Sequence, residues 1–350
     1  MTIQQLLELT VSRSASDLHL AVGFNPLIRV HGELLHIPGT EVISPAEMEM
    51  LLHSLVNPEQ QELFKKQFEL DFSFQYGAKG RFRVNVYRQM GYSAIALRLI
   101  PKEIPVLESL GLPQVVQKIV DLKQGFILVT GPTGQGKSTT LASFINKING
   151  SRAEHIVTIE DPVEYVYPPG KSLISQREMG GDTHSWDNAL RAVLREDPDV
   201  VLIGEMRDLN TIASAITIAE TGHLVFATLH TNSAAQSIDR IIDVFPSNQQ
   251  PQIRLQLAAN LEAIISQRLV PTVNPGRVLA VEVLFANPAA RSMIRDGKSH
   301  MIDNLIQTSA ELGMVSLESS LASLVKAGKI AQDMAQKYAL RPDLLNKLIK

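Results

Sequence analysis

With 350 residues the chain exceeds one ordinary domain and accommodates two, each able to bury a core of its own. A formal net charge of -3, with 20% charged and 5% aromatic residues, excludes a disordered tail and gives a nucleic-acid partner neither a basic surface nor an aromatic platform. The absence of cysteine excludes disulfides and thiolate zinc sites and fits a reducing compartment, the cytoplasm being the simplest.

The N-terminal residues MTIQQLLELTVSRSASD lack the basic-then-apolar layout of a signal peptide, and no run approaches the roughly 18 apolar residues of a membrane span, so an integral membrane segment is not expected. Residues 3–11 carry a short helical pattern. Alternating apolar runs at 17–22, 26–30, 69–74, 80–87 and 93–100 predict strands, which makes residues 1–100 an α+β module. Pro101, Pro105, Gly111 and Pro113 then interrupt regular structure, and 101–113 is expected to be a linker or hinge.

From Phe126 the pattern changes to short, wholly apolar runs at 126–130, 156–159, 200–203, 224–229 and 278–285. Such runs mark parallel strands buried on both faces of a sheet. Helical patterns at 188–195 and 210–220 lie between them, the second opened by Asp208 as N-cap and closed at Gly222. An α/β core over 114–287 and a helical region over 288–350 complete the expected division.

Gly131-Pro132-Thr133-Gly134-Gln135-Gly136-Lys137-Ser138 fits the phosphate-loop pattern and stands between a predicted strand and a predicted helix. Its glycines let backbone N–H groups curl around anionic phosphates, Lys137 reaches the β/γ-phosphates and the Ser138 hydroxyl ligates Mg²⁺; Thr139 continues into the helix. The expected substrate is therefore ATP with Mg²⁺. Glu205 stands just beyond the C-terminal edge of the run 200–203 and is the first candidate for water activation and metal support, although the Asp that usually precedes such a Glu is here Gly204. Glu160, Asp161 and Glu164 follow a second buried run and supply the missing acid; spacing does not choose among them. His223 and His230 flank the run 224–229, and an imidazole at such an edge can bond a γ-phosphate and report its loss.

Together these strings, with Asp197 to Asp208 and Thr221 to Asn232, resemble the Walker A, Asp box, Walker B and His box of secretion and pilus ATPases over nearly the whole chain. The missing four-cysteine zinc element, with the segments 26–32 and 300–308, points to the PilT-like retraction branch. That resemblance implies an N-terminal PAS-like α+β domain hinged to a RecA-like P-loop ATPase domain with a C-terminal helical appendage. It also implies a homohexamer, a platform protein in the inner membrane as partner, and a cytoplasmic place at the inner face of that membrane. Arg83 and Arg98 are the N-terminal arginines it would bring to nucleotide, whereas residue types alone make them an ordinary solvated strand face. Arg207, Asp208 and the 101–113 hinge are candidates for transmitting nucleotide state. The branch's Ala-Ile-Arg-Asn-Leu-Ile-Arg segment stands here as Ala289-Ala290-Arg291-Ser292-Met293-Ile294-Arg295, matching at Ala289, Arg291, Ile294 and Arg295 only. A pilus extension or secretion motor, and more remotely a nucleic-acid translocase, are the competing functions.

Overall fold

The computed structural model describes every residue except His31 and Ala78, so His31 of the segment 26–32 lies outside the described residues. Its contacts divide the chain into two compact units, Met1–Glu103 with Pro162–Val166, and Ile104–Asp161 with Tyr167–Lys350.

The first unit is a six-stranded antiparallel sheet of β1 (Asp17–Ala21), β2 (Leu27–Val30), β3 (Glu33–His36), β4 (Glu69–Tyr76), β5 (Gly80–Gln89) and β6 (Tyr92–Ile100), in the order β3-β2-β1-β6-β5-β4. Helices α1 (Ile3–Ser12), α2 (Pro45–His53) and α3 (Pro58–Gln67) each open on a capping box, from Thr2, Ser44 and Asn57. Alternation sets the faces of β5: Phe82, Val84 and Val86 are fully buried, in one core with Leu7 and Met48, while Arg83 is exposed.

The second unit is built on β7 (Gly125–Thr130), β8 (His155–Glu160), β9 (Leu173–Glu178), β10 (Val200–Ile203), β11 (Leu224–Leu229), β12 (Leu261–Pro271) and β13 (Arg277–Phe285). The order is β13-β12-β7-β11-β10-β8-β9, and every pairing is parallel except β12 with β13. The run 278–285 is thus an antiparallel edge strand, against the parallel expectation. Phe126 and Leu128 of β7 enter the core on one face and Ile127 and Val129 the core on the other, which is why its sequence is apolar without alternation. Each large side chain buried on these strands contributes about 1.5–3 kcal/mol.

Helices α4 (Lys137–Ser151), α5 (Trp186–Val193), α6 (Leu209–Glu220), α7 (Ala234–Asp243) and α8 (Gln250–Asn260) cover the sheet. Asp208 caps α6 as the sequence predicts, its Oδ1 accepting the Thr211 N–H at 2.9 Å. The C-terminal region is helical: α9 (Pro288–Arg295), α10 (Ile302–Thr308), α11 (Leu317–Lys326), α12 (Gln332–Tyr338) and α13 (Pro342–Ile349). From Ile104 onward the proline-rich stretch is docked rather than free: Leu107 is buried in the core beside Phe144, and the Ser143 hydroxyl donates to the Pro105 carbonyl at 2.7 Å.

Candidate active site

The parallel strands point their C-terminal ends to one edge of the sheet, where open α/β folds bind ligands. At the end of β7 the chain turns through Gly131 at φ 145°, where a Cβ would stand 2.6 Å from the Gln267 carbonyl oxygen. Only glycine fits that approach. Gly136, also left-handed at φ 82°, is the N-cap of α4 and brings no capping side chain, so the first turn of α4 presents its N–H groups without a competing side-chain acceptor at the cap. Lys137 opens the helix; it is buried, and its ammonium donates to the carbonyls of Gly131 at 2.7 Å and Pro132 at 3.0 Å. Ser138 and Thr139 follow in the first turn of α4, and Pro132, Thr133, Gly134 and Gln135 form the loop itself.

β12, which sequence patterning does not reveal, braces this loop. Ser266 bonds Thr130 at 2.8 Å, Gln267 Nε2 donates to Thr140 Oγ1 at 2.8 Å, and Gln135 Oε1 accepts the Leu269 N–H at 2.6 Å. Ser266, Gln267 and Arg268, a buried polar trio in an apolar run, were the available signal. It was masked because β12 starts immediately after α8 with no breaking residue between them.

Beyond β10, Glu205 accepts from Arg207 at 2.8 Å and stands 3.3 Å from His230 Nε2, while His230 Nδ1 faces the Thr133 hydroxyl at 3.5 Å. A carboxylate at Nε2 favours the Nε2–H tautomer, leaving Nδ1 to accept from Thr133. Burial alone would raise the Glu205 carboxyl, but the Arg207 hydrogen bond and the charges of Arg207, His230 and Lys137 hold it below its ordinary value. Burial lowers His230 as well, reinforced by Lys137 and opposed by Glu205, so the ring is neutral at pH 7. Lys137, Glu205 and His230 thus form one electrostatic cluster beside the phosphate loop.

The strand ends also account for Gly204. A Cβ there would lie 3.2 Å from the Ile159 carbonyl oxygen and 3.3 Å from Glu160 Cα, a tight approach that an Asp would meet only if the β8 backbone gave way slightly. Glu160 supplies the nearby acid instead: it is buried and accepts from Thr158 at 2.7 Å and from Gln176 at 3.4 Å. Glu164 belongs to the first compact unit, so the acidic segment is split after Asp161.

His223 does not join the cluster. It precedes β11, at the opposite edge from His230, and its Nδ1 lies 3.0 Å from the Ile218 carbonyl at the end of α6. Six residues of extended strand, about 20 Å, separate the two histidines. Placing both at the nucleotide edge is therefore incorrect within one subunit: chain direction puts the flanks of a strand at its two ends.

Arg83 and Arg98 are directly opposed in the β5–β6 register, an unfavourable like-charge pair offset on one side by the 2.8 Å bond from Arg98 to Asp17. Both lie in the first unit. The 289–295 segment is α9, with Ala290 and Ile294 buried in the core. Arg291 donates to the Ala258 and Ala259 carbonyls at 2.7 and 2.6 Å, clamping the C-terminal end of α8.

Phosphate loop, buried parallel sheet and strand-end carboxylate define a RecA-like P-loop ATPase. Residues 3–332 match the family of type II/IV secretion system proteins, and the chain belongs to that family. It is 43% identical over 343 residues to the type IV pilus retraction ATPase PilT of Pseudomonas aeruginosa, covering 98% of this chain and 99% of that one. With a twitching motility protein of Neisseria gonorrhoeae it shares 47% identity over 321 residues, 91% of this chain and 86% of the relative. The crystal structure of the pilus retraction motor PilT with bound ADP superposes with a TM-score of 0.93 at 44% identity and 99% coverage of both chains.

Proposed function

We propose that this chain is the ATP-hydrolysing hexameric motor that powers type IV pilus retraction, acting in the cytoplasm against a platform protein at the inner face of the cytoplasmic membrane. The observation that carries this reading is the cluster of Lys137, Glu205 and His230 at a braced phosphate loop, in a chain similar over its whole length to PilT retraction motors. Among the described residues no helix is long and apolar enough to cross a membrane, which fits a peripheral role.

The loop from Gly131 to Gly136 and the first turn of α4 hold the phosphates through N–H groups, and Lys137 exchanges its loop carbonyls for the β/γ-phosphate oxygens. Ser138 and Glu205, the latter through water, would hold Mg²⁺, which when bound neutralises charge between the β- and γ-phosphates. The fit is chemical: the Ser138 hydroxyl and the Glu205 carboxylate are hard oxygen donors of the kind magnesium takes. Glu205 orients the attacking water, and His230, neutral and hydrogen-bonded to it, reads the γ-phosphate. Glu160 supports the metal side, and Glu164 is the alternative base. Arg83 and Arg98 contribute the remaining positive charge, their mutual repulsion relieved by a phosphate.

In a closed ring those arginines act on a neighbour's nucleotide. Rings mixed from Arg83→Ala or Arg98→Ala chains and Lys137→Ala chains then regain part of the wild-type phosphate release, because some interfaces pair an intact loop with intact arginines. Mixed rings that assemble and stay at background place the arginines in their own subunit. Direction of movement is tested by deleting the gene. Hyperpiliated cells that no longer twitch are expected, and bald cells would identify an extension motor.

A further inference from the structure

We propose that Glu282 is a positioning residue for hydrolysis: its carboxylate holds the first turn of α7, and with it the loop carrying His230, under the control of the C-terminal helices through Arg341. Glu282 sits on β13, is 1% exposed, and its Oε1 accepts the Ala234 N–H, the first residue of α7, at 2.7 Å. Three residues separate Ala234 from His230, and the stretch between them is pinned from the same side: Arg268 of β12 donates to Asn232 Oδ1 at 2.7 Å and to its carbonyl at 3.3 Å. A buried anion at a helix N-terminus stabilises that turn more than a neutral group does.

The other carboxylate oxygen, Oε2, has no hydrogen-bond partner among the described residues and lies 3.9 Å from Arg341. Arg341, the N-cap of α13, is the hub of the C-terminal helices. It reaches Asp303 of α10 at 3.0 Å and the fully buried Glu318 of α11 at 3.1 Å, and Glu318 also accepts the Leu340 and Arg341 N–H groups. Glu318 is therefore paid in full by its partners, whereas Glu282 is not.

Among the described residues, charged groups face Glu282 from the elements packed on it: Arg268 from β12, Asp303 from α10, Glu318 from α11 and Arg341 from α13. Burial first, then Asp303 and Glu318, push its carboxyl up to about 7, against the Ala234 N–H and Arg341, which favour the anion. A movement of the C-terminal helices that brings Arg341 nearer would fix the anion and tighten α7; a movement away would let the group take a proton.

The test uses the full chain in its assembled form. Steady-state phosphate release is measured from about pH 6 to pH 8.5, together with thermal melting over a range extended to pH 5. Wild-type kcat rises with pH through the neutral range with KM for ATP little changed, and Glu282→Gln flattens that limb. Arg341→Met, which removes the nearby cation, moves the limb alkaline by roughly half a pH unit or more, and Asp303→Asn, which removes a nearby anion, moves it acid. A residue that only filled space would not give opposite displacements.

Melting supplies a readout independent of turnover. The folded carboxyl titrates above its unfolded value, so its contribution to stability is present in full below about pH 4.5 and is lost as pH rises toward 7. The Tm of Glu282→Gln relative to wild type therefore climbs from pH 5 to pH 8. The inference deepens the ATPase reading and rests on it. An unchanged activity limb in Glu282→Gln, or displacement of the limb in the same direction by both neighbours, overturns the positioning role and leaves that reading standing. A wild-type chain without turnover overturns both.

Discussion

Lys137→Ala lowers ATP turnover by about a hundredfold or more while leaving the fold intact. The ammonium is the one cation of the phosphate loop, 8% exposed and oriented by the Gly131 and Pro132 carbonyls before it meets any phosphate. Two unit charges about 4 Å apart interact by about 4 kcal/mol at an effective dielectric of 20. Losing even about two-thirds of that from the transition state for phosphoryl transfer costs roughly two orders of magnitude. Alanine leaves the φ 145° turn at Gly131 and the Gln267 and Gln135 braces of β12 in place, so melting is expected to change little. Lys137 also lowers both Glu205 and His230, so the residual activity of the variant shifts its pH profile alkaline. Phosphate release settles the matter: more than about a tenth of wild-type turnover is incompatible with a role for this cation in the transition state.

The parts of the site written in contiguous residues are legible in the sequence itself. β10 and β11 fall on the runs 200–203 and 224–229 because strands buried on both faces must be apolar at every position. The phosphate loop was legible for a similar reason: its chemistry needs glycine and lysine at fixed intervals along one turn. What escaped depends on contacts between distant segments. β9 and β12 mix polar residues into their runs, and in β12 those residues are partners of the loop some 130 residues earlier, so their purpose is invisible without the pairing. The absence of an Asp at 204 was readable, but its cause, the approach of β8 backbone to Gly204, was not. Likewise Pro162–Val166 groups with the N-terminal unit although its sequence neighbours build the second, a partition no local pattern carries.

Glu205→Gln is expected to cut hydrolysis by about a hundredfold or more while nucleotide affinity stays within about threefold of wild type. The amide keeps the size of the carboxylate and can still accept from Arg207, but it neither takes a proton nor carries the negative charge that the Arg207 and Lys137 cations converge upon. Because the Arg207 hydrogen bond and the Arg207 and Lys137 charges hold the carboxyl below its ordinary value, Glu205 is a weak base and stays ionised at neutral pH. In the proposed mechanism its effect comes chiefly from a fixed anion that orients water, with proton acceptance following as the γ-phosphate departs. The ion pair with Arg207, whose side chain is 65% exposed, adds little stability, so the variant should melt near wild type. ATP trapped unhydrolysed in the assembled protein is the expected observation. Glu164→Gln is the matched control: it lies in the other compact unit, and if it abolishes hydrolysis while Glu205→Gln turns over normally, the base comes from the acidic segment.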